Sequence, residues 1–179
     1  MTYTVRRVLA SEWEAVRDLR LQALQDPVAH LAFLTSHAEE AAREDAFWQQ
    51  RTMGAAEGGS AAQFVVVDES DDGRWVGSVT GLLEQAGASD FEGRDITERQ
   101  VHVVGVWLHP AHRGQGLVQR ALGAVADWAR DRGATRARLY VHADNGRAQA
   151  AYEKAGFRAT GNAFDGTIGR EVELALPLT

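Results

Sequence analysis

Cysteine is absent from the 179 residues, and no apolar run approaches the roughly 20 residues that span a bilayer. The first absence excludes disulfides, thiolate metal sites and any acyl-cysteine, and with them a small stapled secreted fold. The second excludes a membrane-spanning helix. The start, MTYTVRRV, has two arginines but no apolar signal core behind them, which predicts a cytoplasmic protein. There is no repeat, low-complexity tract or linker. What is there is balanced: 45% hydrophobic and 25% charged residues, in a length that suits one domain over 1–179.

The net charge of -6 is unevenly spread. Residues 1–67 carry -3; residues 68–98 hold nine acids against Arg74 and Arg94, a local net of -7; residues 99–179 carry +4. An acidic middle and a basic C-terminal part suit two ligands of opposite sign, or equally a solvated surface with clustered charges. Nucleic acid is disfavoured, because the basic excess is small and no arginine–aromatic stripe accompanies it.

Residues 4–9 alternate loosely and predict a first strand. Ser11 with Glu14 has the form of a capping box. Trp13, Val16, Leu19, Leu21 and Leu24 then recur at helical spacing until Asp26-Pro27. A second helix is expected over 39–53 and a flexible connection over 54–60. Two strands at 63–68 and 75–83 flank a hairpin turn at Asp71-Asp72-Gly73. Residues 84–99 lack periodicity and read as a long loop, which in a compact domain is more often functional than idle. Strand 100–108, helix 116–132, strand 136–141, helix 145–155 and strands 157–161 and 171–176 complete an α/β domain with a mixed sheet.

The segment 101–118, VHVVGVWLHPAHRGQGLV, runs from a strand through a glycine-bearing turn into an amphipathic helix. Leu117, Ala121, Leu122, Val125, Trp128 and Ala129 form that helix's apolar stripe. Gly114 and Gly116 have no Cβ, so unpaired amides at the helix start can lie against a bulky anion, aided by the helix dipole and Arg113. This predicts a pyrophosphate cradle. A Walker loop would need Gly-Lys-Ser/Thr, and a dinucleotide fingerprint a glycine where Gln119 stands. Neither fits.

The pattern resembles the acyl-CoA pyrophosphate motif of the GNAT superfamily of N-acetyltransferases, Arg/Gln-x-x-Gly-x-Gly/Ala after the fourth strand. Arg113 and Gly116 match its first and fourth positions, whereas Val118 adds bulk where a small residue is usual. Residues 139–157, LYVHADNGRAQAAYEKAGF, are similar to the family's second hallmark, a strand leading to an Asn and a helix ending in Tyr-x-x-x-Gly-Phe. Alone, Asn145 reads as a helix cap and Tyr152 as a half-buried core tyrosine. With both motifs in family order, the functional reading is preferred.

The resemblance implies a single-domain, mostly antiparallel mixed sheet, splayed between the fourth and fifth strands and flanked by helices. It implies acetyl-CoA as co-substrate, with Val106, Trp107 and Leu108 holding pantetheine and Gly105 at a bulge. Arg113, Gly114, Gln115, Gly116, Leu117 and Val118 would hold the pyrophosphate, and Asn145, Arg147 and Ala148 would complete the cofactor side. Tyr152 is the candidate acid. His102 stands near the place of a family glutamate and is the candidate base, or else a strand histidine held by a hydrogen bond. Glu98, Glu84 and Glu92 are alternatives. The acceptor would be an amine of a small molecule or peptide, attacked directly in a ternary complex since no acyl-cysteine can form. The acidic stretch would attract a cationic amine, and a homodimer would be in keeping with the family. The alternative is a non-catalytic acyl-CoA-binding regulatory module. His109 and His112 straddle Pro110 with no carboxylate in their segment, so no metal is expected.

Overall fold

The runs rich in β-branched and aromatic residues, which favour a pleated and half-buried surface, become seven strands. These are β1 (Tyr3–Arg7), β2 (Ala61–Asp68), β3 (Arg74–Glu84), β4 (Gln100–Leu108), β5 (Arg136–His142), β6 (Arg158–Gly166) and β7 (Gly169–Pro177). They form one open sheet in the order β1-β2-β3-β4-β5-β7-β6. The computed structural model describes residues 2–178, so Met1 and Thr179 of the expected domain lie outside them. Every neighbouring pair is antiparallel except β4–β5, whose parallel direction requires the crossover helix α4 (Leu117–Arg130).

Helices α1 (Trp13–Ala23), α2 (His37–Ala41) and α3 (Asp45–Glu57) precede β2, and α5 (Gly146–Lys154) follows β5. Strand β2 shows how the layers close. Phe64 and Val66 join the core under α4, while Val65 and Val67 join a second core with Val16 of α1 and Trp48 of α3. A strand covered on both faces reads as a continuous apolar run, which is what 63–68 does. The result is a single α/β domain with helices on both faces of the sheet. No helix among the described residues is long and apolar enough to cross a membrane.

The N-terminal helices depart from expectation. Ser11 does not cap α1; it lies in a 3₁₀ turn over Ala10–Glu12, and Glu12 accepts the Leu9 N–H at 2.8 Å while held by Arg6 at 2.6 Å. The helix expected over 39–53 is two helices. Ser36 and Glu39 cap the first reciprocally, with Ser36 N–H donating to Glu39 at 2.6 Å. The connection expected at 54–60 is partly helix, since α3 continues to Glu57. The hairpin at Asp72-Gly73 forms as expected, with both residues at positive φ. The last two strands are longer than predicted; β6 is an exposed edge strand with no buried face to impose alternation.

Candidate active site

Strands β4 and β5 pair only from Gln100–His102 against Arg136–Arg138. Beyond that point they separate. On the other side β4 stays paired with β3, Thr80 facing Val104 and Ser78 facing Trp107, so Gly105 and Val106 together oppose Val79. This is a bulge, and Gly105 at φ +62 supplies the left-handed residue it needs. The β5-facing edge of β4 from Val103 onward therefore keeps its backbone donors and acceptors for another extended chain.

At the end of β4 the chain turns through Pro110–His112 and reaches Gly114 at φ +80 and Gly116 at φ +73. Gly116 is the N-cap of α4. It offers no side chain to the helix amides, and the first turn contains no acid. A Cβ at Gly114 would meet nothing within 4 Å, and one at Gly116 only Gln119 Oε1 at 3.9 Å. Here the glycines are dictated by backbone conformation, and they leave open space over unpaired amides carrying the positive end of the helix dipole.

The splay and this helix start share one cleft of about 510 Å³. Of the residues predicted to bind cofactor, Val106, Trp107, Leu108, Arg113, Gly114, Gly116, Leu117, Val118, Asn145, Arg147 and Ala148 line it, and Gln115 does not. Tyr152 lines it too. Burial pushes the Tyr152 phenol up to about 12, with Arg147 opposing, so the proton stays on oxygen across the working range. Asn145 caps α5 by accepting the Ala148 N–H at 3.3 Å. Arg113 also makes contacts within the fold. Its guanidinium pairs with Asp26 at 2.5 Å and donates to the Leu108 carbonyl at 2.9 Å, so its charge is already matched. Asp26 also accepts from Trp107 Nε1 at 3.1 Å. Burial works against its ionisation, but the Val28 amide, Arg113 and Trp107 together hold it below the usual carboxylate range. Asp26 and Phe33 close the cleft from the α1–α2 connection, and Asp26 carries no local motif and was not predicted.

The predicted bases fall elsewhere. His102 is 1% exposed and does not line the cleft; its ring lies under Phe91, 4.8 Å away and nearly parallel, and its Nδ1 is 3.0 Å from Glu84. This contact is of the kind a strand histidine held by a hydrogen bond would make. Glu98 is bound to Thr135 and lies 3.3 Å from Arg136, also away from the cleft. Glu84 and Asp90 both pair with Arg138, at 2.9 and 2.8 Å, and Glu173 meets the same guanidinium at 3.1 Å. Burial resists the ionisation of Glu84, but His102 and Arg138 bring it down to about 2. Glu84, Asp90 and His102 hold donor atoms within 4.8 Å, as a metal site would, yet Arg138 already supplies the cation there. The loop of residues 85–99 is thus pinned over the sheet, and its acidity is partly compensated from within.

Glu171 on β7 behaves in the opposite sense. Burial and then Glu92 push it up to about 7, and its Oε2 is buried without a partner. A carboxyl raised in the folded state holds its proton more tightly there, so it lowers stability as pH climbs from 4.5 through about 7. Glu171→Gln is expected to raise the melting temperature at pH ~8 and leave it nearly unchanged at pH ~4.5. Equal effects at both would remove the titration as the cause.

A model of the acetyltransferase (GNAT) family matches residues 13–157. No curated protein matches the sequence. Similar solved structures include a putative acetyltransferase of Salmonella typhimurium with its cofactor acetyl-CoA, 17% identical over 100% of this chain and 95% of that one, with a TM-score of 0.66. Ribosomal-protein-S5-alanine acetyltransferase of Vibrio fischeri is 19% identical over 99% and 93%, with a TM-score of 0.73. Spermidine N-acetyltransferase of Vibrio cholerae, in complex with CoA and spermine, is 14% identical over 98% and 95%, with a TM-score of 0.68. At such identities the likeness is one of fold.

Proposed function

The chain belongs to the GNAT acetyltransferase family and is an acetyltransferase with acetyl-CoA as co-substrate; on that premise we propose that it passes the acetyl group directly to an amine bound in the same cleft. The observation that carries this reading is the continuity of one cavity past the uncapped start of α4, the unpaired edge of β4 and the Tyr152 phenol. The amides of α4's first turn receive the diphosphate. The free edge of β4 pairs with the extended pantetheine arm, as a further strand would. Acetyl-CoA supplies the thioester carbonyl and the thiolate that leaves.

An amide of β4 beside the bulge offers a fixed donor to the negative charge that develops on the carbonyl oxygen. Tyr152 keeps its proton at neutral pH and can share it with the departing sulfur. A phenol near 12 is a weak acid, so it shares fully only where that sulfur is desolvated alongside it. With no cysteine in the chain, no acyl-cysteine competes with direct attack. The amine is a group on a small molecule or a peptide, as the family's range allows, and a cytoplasmic setting suits the co-substrate.

No histidine or glutamate lines the cleft among the described residues, and Asp26 is held by Arg113. The amine therefore enters already neutral. Two results follow in one experiment, CoA-thiol release from a panel of amines followed across pH. kcat/KM should rise along the acceptor's own ionisation, with no enzyme inflection near a histidine's ~6.5. Tyr152→Phe should lower kcat by about 100-fold and leave acetyl-CoA affinity almost unchanged. Thiol release that no amine accelerates would refute the proposal, and an unaltered kcat in the variant would remove Tyr152 as the acid.

A further inference from the structure

Beside the cleft, under the β4 bulge, lies a second cavity of about 20 Å³. Phe33 and Trp107 border both cavities and so place them side by side. The sheet contributes Gln63, Ser78, Thr80 and Gly105; Arg20 of α1 and Arg51 of α3 form the wall. Polar side chains thus form much of its lining. The side chains of Gln63, Ser78 and Thr80 make no hydrogen bond among the described residues, and Trp48, fully buried at its border, has Nε1 without a partner.

The two arginines differ in setting: Arg51 is exposed, whereas the Arg20 side chain is 16% exposed. Arg51 makes no hydrogen bond or ion pair among the described residues and only lies over the Trp48 ring at 5.7 Å. Arg20 donates to Thr35 at 3.1 Å and sits 3.8 Å from Glu40, while its Nε is buried and unpartnered. Glu40 does not border the cavity, and it is the one carboxylate acting on both guanidinium groups. Burial, then Arg51, lowers the Arg20 guanidinium to about 10, with Glu40 opposing.

We infer that this chamber is the carboxylate subsite of the acceptor, so that the amine acetylated is that of a small amino acid, its carboxylate held by Arg20 and Arg51. The inference rests on the cleft being the acetyl-transfer site. The chamber has space for about one or two waters, the scale of a carboxylate's two oxygens. Guanidinium donors match the planar carboxylate oxygens and retain their charge at any working pH. A purely cationic amine would meet like charge here. The expectation of a cationic acceptor rested on the acidity of 68–98, and Glu84 and Asp90 of that stretch are bound by Arg138.

The test compares each of the common amino acids with its primary amide and its decarboxylated amine, by thiol release, in the native chain and in Arg51→Gln. Acetyl-CoA-dependent melting is recorded in parallel. At least one amino acid should exceed its amide in kcat/KM by about 10- to 100-fold. Arg51→Gln should erase most of that ratio and keep the acetyl-CoA melting shift. Amides or decarboxylated amines that serve as well, a ratio that Arg51→Gln does not move, or no amino acid accepted while acetyl-CoA still stabilises the chain would each overturn the subsite. Loss of acetyl-CoA stabilisation in the native chain would instead overturn the cleft itself.

Discussion

Gly116→Trp should abolish the rise in melting temperature that saturating acetyl-CoA gives the native protein. At a ligand concentration about 1,000 times Kd that rise reflects ~4 kcal/mol, or roughly 8–16 °C for a domain of this size. The indole would occupy the open space over the α4 amides, where Gly116 now presents no side chain. The substitution also places a non-glycine residue at φ +73, a strain of about 1–2 kcal/mol. Gly116→Ala separates the two effects: it carries the strain without the bulk and should keep most of the acetyl-CoA shift. A full shift in Gly116→Trp would mean that the diphosphate does not sit at this helix start.

Arg138→Met should cost about 3–5 kcal/mol at neutral pH, a fall of roughly 6–20 °C. The guanidinium is 3% exposed and is the shared partner of Glu84, Asp90 and Glu173. Without it, three carboxylates remain buried together. Acid should narrow the gap. Glu84 is held at about 2 in the fold against 4.5 ordinarily, so its contribution is present above 4.5 and lost as pH falls toward 2. The native chain should therefore weaken between pH ~5 and ~2 more steeply than the variant. Thermal unfolding at pH ~7 and ~3 reads both effects; a loss of only a degree or two at neutral pH would contradict the shared-partner account.

The parts of this molecule that were legible in its sequence are those determined locally. Strand 100–108 was placed at its observed bounds because apolar and β-branched residues crowd a short stretch ended by His109-Pro110. The glycine turn before α4 was legible because positive-φ turns favour glycine, and both Gly114 and Gly116 adopt them. Ser36-x-x-Glu39 was a signal of the same local kind, and it would have moved the helix start expected at 39 back to His37. The illegible parts are pairings across the fold. Arg113 meets Asp26 across 87 positions, and Arg138 meets Asp90 across 48, so neither arginine's role follows from its neighbours. The surroundings of His102 were illegible for that reason, since Phe91 and Glu84 reach it from other segments. The arginine-lined chamber was hidden too, since Arg20, Arg51 and Gln63 come from three elements without a common motif.

A crystal structure of the chain grown with acetyl-CoA tests the central claim most directly. The diphosphate should lie within hydrogen-bond distance of the amides of residues 116–118, with the pantetheine arm along β4 between Val106 and Leu108 and the thioester near Tyr152. A nucleotide seated on any other face, or a pantetheine arm running outside the β4–β5 opening, would contradict it.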